Sequence, residues 1–401
     1  MNRPLRILHV ASHLDIRMGG SIVAAAQIAE TVAGEEFSCT VAGTVVAGSG
    51  TEGYFRANYP RVQFEPFPMA FPRHSFNSPR LRRWLKSAAG QFDVVHTHGL
   101  FNFPYLFGGR AALAAGVPLV ISPHNSLDPY DLRKKAWLKR LVYGPWMVRP
   151  LLAGCARVLC CAPLEARRLV TYGAHPNPEV ATVPLPVAPL PASAPAGEWR
   201  RRHGFAADAC VLLFLSRLDR KKGLDLLVPA FLSVAREDPS AMLAIAGDGD
   251  EALATELRRL VAQSGLEDRV RWLGFVTGEE RVQALRGCDV FVLPSYNENF
   301  GIAVVEALHA GRPVLISNEV YIHEVLSRRG CAEVCEPTGA GVLAALRRLV
   351  SDRAHRERLA RQAEATALAE FAPDVVRDQL RELYRQVRRE NCRDRIAPPG
   401  A

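Results

Sequence analysis

No apolar run in the 401 residues approaches the ~18 positions that carry a helix across a bilayer, which excludes a protein built on membrane-spanning helices. The opening stretch, Met1-Asn-Arg-Pro-Leu-Arg-Ile-Leu-His-Val10, is too short in apolar residues for an export signal. It reads as a first strand, and the chain is expected to stay in the cytoplasm. Cysteine is not used as in a cross-linked fold: nine is an odd number, and the chain is long. Cys331 and Cys335 stand four apart, the wrong spacing for a two-residue zinc knuckle. Cys160-Cys161 lies in the apolar run Arg157-Val-Leu-Cys-Cys-Ala162 and reads as buried strand. Disorder is excluded by composition, with 48% hydrophobic and 23% charged residues. Acidic residues are scarce in one half only. Residues 1–190 hold 20 Lys+Arg against 11 Asp+Glu, and the remainder balances, so the net charge of +9 lies in the first half. Such an excess raises the local concentration of anions, whether nucleotides, anionic lipid or nucleic acid.

What is present is a regular alternation of short apolar runs and amphipathic stretches. Arg6 to Ser12 is a strand that runs toward Met18-Gly19-Gly20, followed by a helical stretch from Ser21 to Ala33. Cys39 to Gly43, Phe92 to His98 and Pro118 to Ser122 are further strands. After a proline-dense segment, Val183 to Pro195, the alternation restarts with strands at Val211–Ser216, Ala241–Ala246, Val270–Gly274, Asp289–Pro294 and Pro313–Ser317. This pattern predicts an α/β protein of two doubly wound parallel sheets, each covered on both faces. The expected divisions are a Rossmann-like domain over 1–187, a proline-rich linker over 188–197, a second Rossmann-like domain over 198–370, a helix over 371–390 packing back on the first domain, and a tail over 391–401. Open sheets of this kind bind ligands beyond the carboxyl ends of their strands, so the two domains are expected to face each other across a cleft.

The strongest chemical signal is Ser295-Tyr-Asn-Glu-Asn-Phe-Gly-Ile-Ala-Val-Val-Glu-Ala307, which follows a buried strand and opens a helix. Glu298 and Glu306 would stand about 12 Å apart along a helix, and the amides of the first turn suit an anion. One carboxylate at the mouth and one two turns down could grip both ends of a long polar ligand. By spacing alone, a capping region with a solvated glutamate is an equal alternative. Arg217 and Lys222 lie between a strand and the helix beginning near Gly223, where loop cations beside a helix N-terminus make an anion site. Arg200, Arg220 and Lys221 are nearby, with Lys221 the bystander. His96 and His98 share one face of a strand, but no third metal ligand is evident near them. His124 is a further candidate.

These motifs resemble the retaining glycosyltransferases of family 4 (glycosyl transferases group 1), which have the GT-B fold. The resemblance rests on Glu298, Asn299-Phe300-Gly301 and Glu306, and on Ser216-Arg-Leu-Asp-Arg-Lys-Lys-Gly223, Ala246-Gly-Asp-Gly249, Gly311-Arg-Pro-Val314 and, more loosely, Asp93-Val-Val-His-Thr-His-Gly99 and the glycine-rich first loop. It implies that the first domain serves the acceptor and the second binds a nucleoside diphosphate sugar, with a UDP, GDP or similar leaving group. Arg217, Lys222, Glu298 and His98 would be catalytic. Glu298 would hold hydroxyls of the donor sugar and Glu306 those of the ribose. Gly19, Gly20, Gly247, Gly249, Val276, Asn299, Phe300, Gly301 and Ile302 would line the donor, largely through backbone. No cofactor and no metal is implied, and Asp248 with Asp250 reads as a turn rather than a metal pair. The implied reaction is transfer with retention to a hydroxyl of a glycan or lipid-linked glycan, in bacterial cell-surface polysaccharide assembly. A sugar-nucleotide epimerase, a phosphorylase and a non-catalytic sugar-nucleotide-binding protein are the rivals.

One segment remains. Leu132 to Tyr143 interleaves Arg133, Lys134, Lys135, Lys139 and Arg140 with Trp137 and other apolar residues. It reads either as an interfacial helix meeting anionic lipid on the inner face of the cytoplasmic membrane or as an ordinary amphipathic helix. Nucleic acid is not expected, because no recognised module accompanies the charge.

Overall fold

A computed structural model of the chain describes residues 3–15, 20–46, 51–71, 75–133, 136–175, 177–191 and 196–396. They form two compact units, one of residues 1–186 with 373–401 and one of 187–372. Among the described residues no helix is long and apolar enough to cross a membrane.

The first unit is built on seven strands: β1 (Leu5–His13), β2 (Phe37–Val45), β3 (Gln63–Pro68), β4 (Val94–His98), β5 (Leu119–Ser122), β6 (Arg157–Cys160) and β7 (Val180–Thr182). They are parallel throughout, in the order β3-β2-β1-β4-β5-β6-β7. The second unit has six parallel strands: β8 (Cys210–Leu215), β9 (Ala241–Ala246), β10 (Val270–Gly274), β11 (Val290–Leu293), β12 (Val314–Ser317) and β13 (Ala332–Cys335). Their order is β10-β9-β8-β11-β12-β13. Strands β8, β9, β11 and β12 are buried along their whole length, as a parallel sheet covered by helices requires. In each sheet the strand order reverses once, between β1 and β4 and between β8 and β11. At such a switch point the loops leaving the two neighbouring strands diverge and leave room for a ligand.

Three boundaries differ from the sequence reading. The proline-rich segment is extended but not loose: Val183, Leu185 and Val187 are buried, Val183 N donates to Cys160 O, and Val187 N donates to Phe371 O. A helix already begins at Ala196, inside the expected linker, and its fully buried Trp199 packs on Gly287. At the other end, the helix Pro373–Ile396 starts after a break at Ala372 and runs six residues into the stretch expected to be tail. This last helix belongs to the first unit. Arg377 donates to Thr31 O, Arg381 to Val32 O, and Asn391 to Gly116 O, while Arg388 pairs with Asp93.

Candidate functional site

In the second unit the chemistry gathers at the carboxyl ends of β8 and β11. Leaving β8, the chain passes exposed Arg217 and enters a short 3₁₀ turn, Arg220–Lys222, capped by Asp219, whose side chain accepts from Lys221 N. Gly223 then turns the chain with φ +76°. A Cβ there would stand 2.1 Å from Pro294 O, so only glycine lets this loop lie against the end of β11. The two loops are stitched twice more: Tyr296 N donates to Lys221 O at 2.9 Å, and Lys222 Nζ pairs with Glu298 Oε2. Glu298 is further fixed through its backbone, N to Glu319 O and O from Tyr321 N.

Burial pushes the Glu298 carboxyl up, but Lys222 foremost, with Lys221 and the Asn299 amide, outweighs it and holds the group below its ordinary value. Glu298 is therefore a carboxylate at neutral pH. Arg217 makes no ion pair among the described residues, whereas Arg220 is taken by Asp225 and Glu256, and Arg200 by Asp289. The sequence reading already sets Arg217 and Lys222 apart from Arg200 and Arg220, and the ion pairs of the latter two are what the fold adds. The fold leaves Arg217 open and aims Lys222 at Glu298.

The amide of Asn299 is not free, as the sequence reading had it, but donates to Glu298 Oε1 at 3.1 Å. The open donors of the first turn are those after it. Phe300 buries its ring edge-on against Phe371, Gly301 caps the helix Ile302–His309, and Ile302 begins it. At the neighbouring strand end, Gly247 (φ +143°) lies where a Cβ would be 1.9 Å from Ser216 O, so β9 can hand its chain past β8 only through glycine. Gly249 bridges Leu218, and Asp250 caps the helix Glu251–Ser264. Val276, just beyond β10, is buried.

Glu306 is 7% exposed and paired with Arg281 of the helix Gly278–Gly287. Burial dominates here and raises its carboxyl above the ordinary value, against the pull of Arg281. Arg281 was not singled out from sequence, because nothing in its spacing connects it to a residue on another helix.

In the first unit, His98 ends β4 beside the switch point. Its Nε2 lies 3.0 Å from His9 Nδ1 and its Nδ1 lies 3.0 Å from His124 Nε2. His96 Nε2 faces Ser122 Oγ at 2.9 Å, and that hydroxyl donates to Leu159 O. His96 must then donate from Nε2 and accept the Tyr384 hydroxyl at Nδ1, 2.8 Å away. Burial lowers the basicity of all four histidines, to about 3 for His9 and about 4 for His124, so the cluster is neutral. The third ligand that the sequence did not reveal is His9, which lies in register with His96 on β1. Ring nitrogens of His9, His96 and His98 lie within 4.8 Å of one another. Both nitrogens of His96 are nevertheless committed to hydroxyls, and His9 and His98 share a hydrogen bond, which describes a hydrogen-bonded network rather than a ligand set.

Gly20 opens the helix Gly20–Val32 and is exposed, whereas Gly19, Lys134 and Lys135 lie outside the described residues. The basic segment is helical on both sides of Lys134 and Lys135, at Pro129–Arg133 and Ala136–Leu138, and then widens into a π-type helix, Lys139–Val148, around Pro145. Trp137 and Leu141 are 67% and 74% exposed, and Arg133 and Arg140 also face outward. Lys139 instead donates to Asp131 O and lies over the Phe101 ring.

Both units match known sequence families. The Glycosyl transferase 4-like domain matches residues 19–186, and the Glycosyl transferases group 1 domain matches residues 196–366. The D-inositol 3-phosphate glycosyltransferase of Geodermatophilus obscurus is 32% identical over 260 residues, covering 60% of this chain, which spans only 55% of that relative's length. The protein of the same description from Kineococcus radiotolerans is 30% identical over 358 residues, covering 81% of this chain and 78% of its own. The crystal structure of Anabaena HepE in complex with UDP and glucose superposes with a TM-score of 0.78 at 19% identity, over 95% of this chain and all of that one. With both units matched and a relative aligned over most of the length, the chain belongs to the group 1 glycosyl transferases of family 4, on the GT-B fold.

Proposed function

We propose that the chain is a retaining glycosyltransferase that moves a sugar from a nucleoside diphosphate sugar to a hydroxyl of a glycan or lipid-linked glycan, in the assembly of bacterial cell-surface polysaccharide. The observation that carries this reading is the pair of loops at the β8/β11 switch point, with a guanidinium, Arg217, that makes no ion pair among the described residues, beside an ammonium, Lys222, held on a carboxylate, Glu298. The relatives' description as glycosyltransferases supports sugar transfer, and the UDP bound by HepE supports a nucleoside diphosphate sugar as donor.

In this mechanism the bond from the sugar to the diphosphate breaks, and the acceptor oxygen forms its new bond on the same face. The acceptor's proton passes to the departing phosphate. Negative charge grows on that phosphate as the bond breaks, so Arg217, Lys222 and the amides beyond Asn299 stabilise the transition state more than the ground state. Glu298, ionised and anchored, suits the sugar hydroxyls better than nucleophilic attack. Glu306 takes the ribose hydroxyls. The backbone around Gly247, Gly249, Val276 and Gly301 lines the nucleotide. Both ring nitrogens of His98 are engaged, which leaves its backbone carbonyl to face the sugar. The cations are built in, so no divalent metal is required. The outward Trp137, Leu141, Arg133 and Arg140 support peripheral attachment to anionic lipid.

The test is product analysis with a panel of nucleoside diphosphate sugars and hydroxyl acceptors, in excess chelator. A nucleoside diphosphate at 100-fold its Kd should first reveal itself as about 2.7 kcal/mol of added stability. A glycosidic product with the donor's anomeric configuration is expected. An inverted product, an epimerised donor with no acceptor consumed, or activity that depends on added Mg²⁺ refutes the reading.

A further inference from the structure

The two signature carboxylates are treated differently by their surroundings. Glu298 shares the loop junction with several cations. Glu306 is buried on the helix Ile302–His309, and one guanidinium reaches it, that of Arg281. Arg281 stands in the first turn of the helix Gly278–Gly287, immediately after Glu279 and Glu280. Those nearer carboxylates have partners of their own: Glu279 accepts from Gln283 Nε2 at 3.0 Å, and Glu280 lies 3.8 Å from His203. Arg281 therefore spans from one helix to the next to meet a carboxylate twenty-five residues away in sequence.

We propose that Arg281 is the positioning residue for Glu306: it holds one carboxylate oxygen and leaves the other for the ribose diol of the donor nucleotide. This rests on the reading of Glu306 as the ribose-binding group. The bond uses Oε2, so Oε1 keeps its lone pairs for hydroxyl donors. Charge matters at this place because burial is the largest influence on Glu306 and opposes its ionisation. Other charged groups are turned elsewhere. His309, one turn along the same helix, faces Val187 O at 3.0 Å; Glu364, on the adjoining helix Arg353–Phe371, acts on His309; and Lys222 is held by Glu298. Without Arg281 the carboxyl would rise further, because the downward pull on it would be gone.

The test compares binding of a nucleoside diphosphate with that of its 2′,3′-dideoxy form by calorimetry, using the tightest binder among UDP, GDP and ADP. The ratio of the two dissociation constants reports the diol alone. In the natural protein it should be roughly 10- to 100-fold and steady between pH 6 and 8, as expected for hydrogen bonds to a charged group. Arg281→Ala should reduce it several-fold, and more at pH 6 than at pH 8, because the carboxyl shifts further upward and gains its proton as pH falls. Arg281→Lys should restore most of it. Glu306→Gln should lower the ratio with no dependence on pH. If Glu306→Gln keeps the full diol preference, the ribose assignment falls and the proposal with it. If Glu306→Gln loses the preference while Arg281→Ala keeps it at every pH, the assignment stands and the role of Arg281 is overturned.

Discussion

Lys222 is asked to do two things, to hold Glu298 and to meet the leaving diphosphate, and replacing it separates them. In Lys222→Met the aliphatic stem stays and the charge goes. Loss of one well-placed donor to developing charge costs about 2.7–4 kcal/mol, or roughly 10²–10³ in kcat. The structural cost is separate. The two side chains are only 13% and 16% exposed, and breaking a buried pair costs up to about 3–5 kcal/mol, an upper bound because both keep some water contact. That cost depends on pH in a definite direction. With Lys222 in place the Glu298 carboxyl lies below its ordinary value, so the pair's contribution is present above roughly pH 4.3 and is lost as pH falls through the lowered value. Without Lys222 the largest downward pull is gone, so the carboxyl of the variant titrates higher than in the natural protein. The stability gap between natural and variant protein should thus be narrow near pH 4 and widen toward pH 7. Arg217→Ala should lower kcat comparably with no such gap, since Arg217 has no ion-pair partner among the described residues. Lys221→Ala should change kcat little, although its field at Glu298 leaves a small effect on stability. Steady-state kinetics and denaturant titrations between pH 4 and 8 decide it. Near-normal kcat in both Lys222→Met and Arg217→Ala, together with a loss in Lys221→Ala, would refute the assignment of this loop.

Two further predictions follow from geometry alone. Gly223→Ala forces a side chain into the left-handed region, at about 1–2 kcal/mol, and onto Pro294 O, so the melting temperature should fall by several degrees; an unchanged value would mean that the β8 and β11 loops are not stitched as described. The chain should sediment with anionic vesicles and not with neutral ones, each basic residue near the surface adding about 1 kcal/mol, and Trp137→Ala with Leu141→Ala should weaken the effect; equal binding to both vesicle types, or none, counts against a membrane role.

Much of this architecture is legible in sequence because parallel strands announce themselves as short buried runs, and their loops carry glycines that nothing else can replace. Gly223 and Gly247 could be placed at strand ends before any coordinates, and the loop chemistry followed with them. What could not be read depends on pairing across long separations. His9 meets His96 only through strand register, and Arg281 meets Glu306 only because two helices pack side by side. Proline density marks Val183–Val187 but is silent on burial, where the carbonyls of Cys160 and Phe371 accept from the amides of Val183 and Val187. The pattern of Leu132–Tyr143 suggested one helix. Pro145, lying just beyond it, takes away a backbone donor, and the chain around it widens instead of continuing regularly.

The helix Pro373–Ile396 has a consequence for how this chain is made. A protein emerging residue by residue tends to fold its first domain first. Here that order is blocked. The donors to the carbonyls of Thr31 and Val32, Arg377 and Arg381, and the hydroxyl partner of His96, Tyr384, come from residues synthesised after the second unit. Until they leave the ribosome, these carbonyls and the Nδ1 of His96 lack the partners they have in the folded chain. The second unit is complete by Ala372 and can mature earlier. The N-terminal unit is therefore begun first and finished last.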